Sequence, residues 1–365
     1  MSKSKKILLS IPALQGGGAE RVLSTLANAW VEEGYEVRLV TYESPGIKPY
    51  YKLSSKIELV QLDCLSPCKY AKPFDVIKRV FGLRQKIKKF KPDIIISFLD
   101  TNNILTVLAA LGLKVPVVVS ERINPVLFLS CLKKKLRNWA YEKADALVVQ
   151  NLGIKQCFSN SIQNHTKIIP NPVIIGNNIK WVGGKKEFVA VGRLYKQKGF
   201  QYLIDAFSEV TTKHPDWILK IIGEGPERSA LETQIKQCGL EGKVLLPGKN
   251  PKAINDMASS DIFVFSSLYE GMPNALMEAM AIGMPVISSN CDFGPSDLIN
   301  NNKNGILVPP KDPKSLANAM GRLASDPELQ KALGAAAKKE MKKYELKKIL
   351  VLWEKVFEGV INRHD

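Results

Sequence analysis

The sequence lacks any long hydrophobic run. Its apolar stretches, such as Ile7 to Ile11 and Val115 to Val119, have the length of a strand. A membrane span needs about 20 apolar residues, and the core of a signal peptide needs about 7 to 15. We therefore expect a cytoplasmic protein that is neither exported nor integral to a membrane.

Cysteine is scarce as well. The six cysteines do not have the spacing of a disulfide framework, and the close pair Cys64 and Cys68 has no histidine partner nearby. We interpret them as reduced thiols of a cytosolic protein.

Low-complexity tracts are absent, and hydrophobic residues make up 45% of the chain, so the composition excludes a disordered protein. The chain has 365 residues, whereas a usual domain has about 100 to 200. This length predicts two domains with a cleft between them.

The formal charge of +17 is concentrated in the first half of the chain. Residues 1–180 contain 27 Lys and Arg against 13 Asp and Glu, whereas residues 181–365 contain 25 against 22. Basic helices with an apolar face attract anionic lipid head groups, which favours an anionic membrane surface as a partner. Solvated helix faces are the alternative, while the lack of a nucleic-acid-binding motif argues against nucleic acid. The basic residues cluster on two predicted helices, as Lys78, Arg79, Arg84, Lys86, Lys88, Lys89 and Lys91, and as Lys133, Lys134, Lys135 and Arg137.

Short β-branched runs alternate with amphipathic stretches along the whole chain, which predicts an α/β fold with parallel sheets covered by helices. Strands are predicted at 7–11, 37–42, 57–62, 93–98, 115–120, 146–150 and 167–169, and again at 188–192, 219–222, 244–246, 262–266, 286–288 and 306–308. Helices are predicted at 19–33, 74–90, 102–111, 132–143, 200–213, 228–237, 275–282, 313–324, 327–342 and 346–360. The boundaries between these series predict a first domain at 1–172, a linker at 173–186, a second domain at 187–344 and a terminal helical segment at 345–365.

Two strand ends carry features suited to an anionic ligand. After the first strand, Gly16, Gly17 and Gly18 directly precede a helix, so backbone amides and the helix dipole converge there. After the first strand of the second half, Gly192-Arg193 and Lys198-Gly199 place two cations beside a helix start. A plain tight turn and a solvated surface are the respective alternatives.

A pair of carboxylates follows in the segment Glu-Gly-Met-Pro-Asn-Ala-Leu-Met-Glu. Pro273 suits the first turn of a helix, so Glu270 is predicted in the preceding loop and Glu278 on the second turn. Carboxylates accept hydrogen bonds from vicinal hydroxyls, and amides at Asn274 and Ala275 would bind phosphate oxygens, which together suits a nucleotide sugar. Ordinary surface charges are the alternative.

Several motifs in order resemble the large fourth family of retaining glycosyltransferases over essentially the whole chain. They are Gly-Gly-Ala-Glu-Arg at 17–21, Ser-Phe-Leu-Asp at 97–100, Ser-Glu-Arg-Ile-Asn-Pro at 120–125, Pro-Asn-Pro at 170–172, Gly-Arg-Leu at 192–194 with Lys-Gly at 198–199, Gly-Glu-Gly-Pro at 223–226, and the Glu-x7-Glu block. The chain looks most like bacterial enzymes of exopolysaccharide, O-antigen and lipid-linked oligosaccharide synthesis, some of which transfer N-acetylgalactosamine.

The resemblance implies the GT-B fold, with two Rossmann-like domains facing a cleft, an acceptor on the first domain, a nucleotide sugar on the second, and a last helix that returns to the first. It also implies no metal, which agrees with the absence of Asp-x-Asp and of paired histidines. The donor contacts that it implies are Gly17, Gly18, Gly192, Arg193, Lys198, Gly223, Gly225, Glu270, Gly271, Pro273, Asn274, Ala275, Leu276 and Glu278. Among these, Arg193 and Lys198 would hold the diphosphate, Glu278 the ribose and Glu270 the transferred sugar, with Arg193, Lys198 and Glu270 as catalytic residues.

Acceptor contacts are expected from Asp100, Glu121, Arg122 and Asn124. Many relatives have a histidine where this chain has Arg122, so the role of this residue is an open part of the prediction. The expected reaction is transfer of a hexose or N-acetylhexosamine from a UDP-sugar, by front-face attack with retention, to a polyprenyl-diphosphate-linked glycan. A sugar-nucleotide epimerase of the same fold and a nucleic-acid-binding protein are the alternatives from other classes.

Overall fold

The computed structural model describes residues 5–64, 73–127, 130–176 and 179–364. Cys68, and with it the predicted close pair of cysteines, therefore lies outside the described residues. The chain divides into two compact units: residues 1–171 with 347–365, and residues 172–346.

The first unit alternates strands and helices. Its strands are β1 (Lys6–Ser10), β2 (Glu36–Thr41), β3 (Glu58–Gln61), β4 (Ile94–Phe98), β5 (Val117–Ser120), β6 (Ala146–Val149) and β7 (Thr166–Ile168). Its helices are α1 (Gly18–Glu32), α2 (Pro73–Phe90), α3 (Asp100–Ala110), α4 (Cys131–Lys143), α5 (Leu152–Gln156) and α6 (Asn160–Asn164).

The second unit repeats this alternation. Its strands are β8 (Glu187–Val191), β9 (Ile218–Ile222), β10 (Val244–Gly248), β11 (Ile262–Phe265), β12 (Val286–Ser289) and β13 (Ile306–Val308). Its helices are α7 (Phe200–Lys213), α8 (Arg228–Gln237), α9 (Ala253–Ser259), α10 (Asn274–Ile282), α11 (Pro295–Leu298), α12 (Pro313–Ser325) and α13 (Pro327–Met341), and α14 (Leu346–Ile361) closes the chain.

The described strands of each unit form one parallel sheet. The strand order is β3-β2-β1-β4-β5-β6-β7 in the first unit and β10-β9-β8-β11-β12-β13 in the second. In both sheets the chain winds outward from a central pair of strands, as in a Rossmann fold. The predicted α/β class with two Rossmann-like domains is therefore confirmed.

Side chains of β8 show why these sheets need helices on both faces. Phe188 and Ala190 pack into one buried cluster, with helices α7 and α12, whereas Val189 between them packs into a second cluster with α10. Successive side chains of a strand point to opposite faces, so each apolar run is buried on both sides of the sheet.

Helix α14 packs within the first unit, as the resemblance implied. Its buried residues recur at helical spacing, as Ile349, Leu350, Trp353, Val356, Phe357 and Val360. The Trp353 ring lies 5.8 Å from the Trp30 ring of α1 and 6.3 Å from the Phe98 ring of β4, between ring centroids. This aromatic cluster holds the last helix on the first unit.

Two features differ from the sequence prediction. The short helices α5, α6, α9 and α11 were not predicted, because 4 to 7 residues are too few to show a helical period. Several residues of the predicted linker pack against the second unit, namely Val173, Ile175, Ile179 and Trp181. Trp181 donates its indole N–H to the Ser260 carbonyl (3.0 Å), and the backbone of Lys185 donates to Asp261 (3.0 Å).

None of the helices in the described ranges combines the length and the apolar character needed to cross a bilayer.

Candidate functional site

The second sheet brings two loops together at the point where its strand order reverses. β8 and β11 are neighbours, but the chain leaves them toward opposite edges of the sheet, and ligands of such sheets bind at this position. Three hydrogen bonds join the loops: Ser266 Oγ to the Lys198 carbonyl (2.8 Å), the Leu268 amide to the Gln197 carbonyl (2.8 Å), and Gln197 Nε2 to the Tyr269 carbonyl (2.9 Å). The loops therefore form one supported surface.

Lys198 and Glu270 form an ion pair on this surface. Lys198 Nζ lies 2.7 Å from Glu270 Oε1, and the two side chains are only 16% and 11% exposed. Lys198 ends a 3-10 turn (Lys196–Lys198) just before α7, and its Nζ lies 5.2 Å from the centre of the Phe265 ring. Two predicted site residues that are far apart in the sequence are thus in direct contact.

Arg193 follows β8 and is exposed. Its guanidinium lies 5.0 Å from the centre of the Tyr195 ring, a distance typical of a cation–π contact. Burial, and next the charge of Glu270, raise the pKa of Tyr269 above its usual value, and the nearby charge of Arg193 partly opposes this rise. Arg193 therefore contributes its charge to the same loop surface as the Lys198–Glu270 pair.

Gly223 and Gly225 are required by backbone packing. A Cβ at Gly223 would collide with the carbonyl oxygen of Gly192, and one at Gly225 would collide with that of Leu194. The Leu194 amide also donates to the Glu224 carbonyl (2.9 Å). These glycines let the loop after β9 lie directly against the turn that carries Arg193.

Glu278 lies on the second turn of α10, as predicted, and is 8% exposed. The helix begins at Asn274, and its N-cap is Pro273, which forms no side-chain cap. Gly271 and Leu276 are buried, whereas Asn274 and Ala275 are partly exposed. The predicted donor residues of the second unit therefore sit in the two joined loops, on the first turns of α10 and in the glycine packing behind them.

The loop after β12 supports Glu270 and was not predicted as part of the site. The Glu270 amide donates to the Asp292 carbonyl (3.4 Å), and Phe293 and Gly294 both have positive φ, 59° and 93°. Burial, and next the charge of Glu270, raise the pKa of the Cys291 thiol to about 12. The Gly294-Pro295 dipeptide marks a turn in the sequence, but nothing local indicates that this turn reaches Glu270.

In the first unit, the glycine turn after β1 is closed by a side chain of its own helix. Glu20 Oε2 accepts hydrogen bonds from the amides of Gly16 and Gly17, the latter at 3.0 Å. Gly17 is the N-cap of α1 and has no side chain to cap the helix, so Glu20 at the third helical position supplies only the half of a capping box in which a carboxylate accepts from the N-cap amide. The amide of Gly17 therefore already binds a carboxylate, and phosphate binding at Gly17 and Gly18 stays a prediction.

Glu121 belongs to a buried polar network at the end of β5. Its Oε2 accepts from the Tyr141 hydroxyl (2.8 Å), its Oε1 accepts from the Arg122 amide (3.1 Å), and Asn103 Nδ2 donates to the Tyr141 oxygen (3.0 Å). Burial, and then the charge of Asp100, raise the pKa of Glu121 to about 7. With 1% of its surface exposed, Glu121 serves this network.

The other predicted acceptor residues lie around this network. Arg122 Nη1 donates to Asn171 Oδ1 (2.7 Å), its guanidinium lies 4.3 Å from the Phe98 ring centre, and burial lowers its pKa to about 9. Asn124 Oδ1 accepts from the Val126 amide (3.0 Å) within a turn. Asp100 is half-buried and begins α3. These contacts give Arg122 and Asn124 structural partners inside the unit, and acceptor binding stays a prediction.

Within the residues that the structure describes, no three His, Cys, Asp or Glu side chains gather into a group that could hold a metal ion.

Comparisons with known proteins identify the family of the chain. The profile described as Glycosyltransferase Family 4 matches residues 16–175, and the profile described as Glycosyl transferases group 1 matches residues 175–340. A relative from Campylobacter jejuni is 31% identical over 98% of this chain and 99% of its own length. The chain belongs to glycosyltransferase family 4.

That relative is named GalNAc-alpha-(1->4)-GalNAc-alpha-(1->3)-diNAcBac-PP-undecaprenol alpha-1,4-N-acetyl-D-galactosaminyltransferase. A second relative from the same organism is 29% identical over 94% of this chain and 97% of its own length. It is named N-acetylgalactosamine-N,N'-diacetylbacillosaminyl-diphospho-undecaprenol 4-alpha-N-acetylgalactosaminyltransferase. These names support glycosyltransferase activity and give no support to the epimerase alternative.

The fold of this family 4 glycosyltransferase matches solved structures. HepE from Anabaena, in complex with UDP-glucose, superimposes with a TM-score of 0.79 at 18% identity, covering 97% of this chain and 99% of HepE. At this identity the likeness shows the fold.

Proposed function

We propose that this protein transfers an N-acetylhexosamine or a hexose from a UDP-sugar to a hydroxyl of a polyprenyl-diphosphate-linked glycan. N-acetylgalactosamine is the leading candidate for the transferred sugar, and galactose or glucose follows it. The product belongs to the synthesis of cell-surface polysaccharide. The names of the two Campylobacter jejuni relatives support the sugar and the acceptor class, and the UDP-glucose complex of HepE supports the nucleotide.

The observation that carries the proposal is the Lys198–Glu270 pair at the switch point of the second sheet. A lysine and a carboxylate 2.7 Å apart provide a cation for a diphosphate and, next to it, an acceptor for sugar hydroxyls. In a nucleotide sugar the diphosphate and the sugar are joined by one bond. Lys198 and Glu270 therefore offer a partner to each of these two parts of the donor. Glu278 on the following helix is assigned to the ribose hydroxyls.

The proposed reaction is a front-face attack that retains configuration. The acceptor oxygen bonds to the anomeric carbon on the side from which the diphosphate leaves, and the hydroxyl proton passes to the departing phosphate oxygen. Negative charge grows on the diphosphate as the bond breaks, so Arg193, Lys198 and the first-turn amides of α10 stabilise the transition state more than the bound donor. The proposal includes no metal or other cofactor, and unchanged turnover in EDTA is expected.

Substitution of Lys198 by alanine tests the assignment. We expect turnover to fall about 100-fold to 1000-fold, the usual cost of losing a group that stabilises a developing anion. Lys196→Ala is the matched control, because it removes the same charge from the same 3-10 turn. The assay uses labelled UDP-N-acetylgalactosamine, UDP-galactose and UDP-glucose with polyprenyl-diphosphate-linked glycans. Near-normal turnover of Lys198→Ala would refute the donor site.

We further propose that the first unit binds the cytoplasmic face of an anionic inner membrane, where a lipid-linked acceptor is found. Helix α2 exposes Phe74, Ile77 and Phe81, each more than 60% exposed, on one side of the helix at helical spacing, and Lys78, Lys88 and Lys89 are exposed on the same helix. Helix α4 exposes Leu132 (77%) beside Lys133, Lys134 and Lys135. Apolar residues flanked by lysines suit the boundary between head groups and acyl chains.

Sedimentation with phosphatidylglycerol vesicles tests this surface. Replacing Phe74, Ile77 and Phe81 together by serine is expected to remove most of the vesicle binding. The control replaces the exposed Lys338 and Lys339, on α13 of the second unit, by serine and is expected to leave vesicle binding nearly unchanged. Equal losses in both variants, or equal binding of the wild type to neutral phosphatidylcholine vesicles, would contradict the proposal.

A further inference from the structure

The Lys198–Glu270 ion pair at the switch point exerts two opposite electrostatic effects on a bound nucleoside diphosphate. Lys198 Nζ and Glu270 Oε1 are 2.7 Å apart, so a phosphate oxygen at hydrogen-bond distance from Nζ lies within about 6 Å of the carboxylate. Both side chains are mostly removed from water, which weakens screening of their charges. A diphosphate attracted by Lys198 is therefore repelled by Glu270.

Glu270 is mostly buried in this position. It is 9% exposed, and its backbone is tied to the loop after β12 through the Asp292 carbonyl. Cys291 in that loop is buried, and the Glu270 charge contributes to raising its pKa. The loop after β12 thus fixes the backbone of Glu270, and the ion pair places its carboxylate beside Lys198.

A sugar on the diphosphate changes this balance. Its hydroxyls donate hydrogen bonds to the carboxylate, and hydrogen bonds to an ionised acceptor are stronger than those between neutral groups. These bonds offset the repulsion between Glu270 and the phosphates. A nucleoside diphosphate without a sugar gains nothing in return.

We propose that Glu270 makes the site select a sugar-bearing nucleotide over the free nucleoside diphosphate, and so favours release of the diphosphate after transfer. The inference rests on the proposed function, because it takes Lys198 as the diphosphate ligand and Glu270 as the sugar ligand. A neutral acceptor could also form hydrogen bonds with the sugar. The inference therefore assigns a separate role to the negative charge of Glu270, which is to repel the free diphosphate.

Calorimetric titration of the full chain tests the proposal, with UDP and with whichever of UDP-N-acetylgalactosamine, UDP-galactose and UDP-glucose binds best. In Glu270→Gln the repelling charge is gone while a carbonyl oxygen remains to accept from Lys198. We expect UDP to bind about threefold to tenfold more tightly and the UDP-sugar to bind more weakly. The preference for the UDP-sugar over UDP is expected to fall at least tenfold, with stronger product inhibition by UDP.

Two further variants separate charge from structure. Glu270→Asp keeps the charge, so its affinity for UDP is expected to stay within about twofold of the wild type. Glu187→Gln removes a carboxylate from a comparable ion pair with Lys220 (2.9 Å) at the amino end of β8, and is expected to leave the UDP preference unchanged. If Glu270→Gln weakens UDP and the UDP-sugar equally, or leaves their ratio unchanged, the inference is wrong.

Lys198→Met distinguishes failure of this inference from failure of the proposed function. If Lys198→Met weakens UDP binding but the Glu270→Gln ratio does not change, only the selectivity inference fails. If the wild type binds neither UDP nor any of the UDP-sugars, the proposed function fails with it.

Discussion

The two units share a sheet topology but differ in the loops that follow their central strands. In the second unit the central strands end in loops that bring Lys198 and Glu270 together. In the first unit the glycine turn after β1 is closed by Glu20, and the end of β5 is filled by a buried network around Glu121. The first unit instead carries basic helices with exposed apolar residues. The function of each unit therefore depends on the residues at its strand ends and on its surface, and not on the shared fold.

The largest effect on this comparison is expected from Trp353→Ala. Trp353 is fully buried against Trp30 and Phe98, and truncating a buried tryptophan costs about 3 to 5 kcal/mol. We expect hydrogen exchange to accelerate in peptides of β1 and β4 but not in those of β8 and β11. The control Val351→Ala, exposed on the same helix, is expected to change stability by less than about 0.5 kcal/mol. Equal acceleration in both units would show that they unfold as one.

Gly223→Ala is expected to affect the second unit. The added Cβ would push the Gly192 carbonyl away, and overpacking of this kind costs about 1 to 3 kcal/mol. The turn that carries Arg193 must then shift, so UDP affinity is expected to fall about tenfold or more in calorimetric titration. Gly359→Ala, on α14 with open space around it, is expected to stabilise the first unit slightly and leave UDP affinity unchanged. Unaltered UDP binding by Gly223→Ala would remove this turn from the donor site.

The pH dependence of stability gives a smaller test that concerns the first unit. Burial raises the pKa of Glu121 to about 7 in the folded chain from its ordinary value of 4.5, so the folded state retains a proton that the unfolded state releases. The free energy of unfolding therefore falls as pH rises between these values, by at most about 1.4 kcal/mol per pH unit. Glu121→Gln, which cannot ionise, is expected to flatten this slope in urea titrations from pH 5 to 8. An unchanged slope would show that another group titrates.

Much of the fold was predictable because its signals are local. Buried parallel strands are continuous apolar runs, and the long helices show their period over ten or more residues, so both repeats of strand and helix could be located. The segment 173–186 was predicted as a linker because it shows no period. It packs on the second unit through scattered apolar side chains such as Val173, Ile175 and Trp181, and packing of this kind leaves no periodic pattern.

The candidate site was predictable only in part. Arg193, Lys198, Glu270 and Glu278 were identified separately, but the ion pair joins residues 72 positions apart, and no local pattern shows that contact. The capping of Gly17 by Glu20 could have been read from a glycine N-cap with glutamate at the third helical position. The internal partners of Arg122 could not, because Phe98, Asn171 and Trp353 come from three distant segments.

The course of the chain between the units makes the second unit an insertion in the first. Residues 172–346 form one continuous segment, while the first unit is assembled from the residues before and after it. The ends of the insertion are adjacent, because the Val173 amide donates to the Tyr344 carbonyl (2.8 Å) and Val173 forms a β-bridge with Glu345. During synthesis, α14 is made only after the whole of the second unit, and only then can it cover Trp30. The unit that begins the chain is therefore the last to be completed.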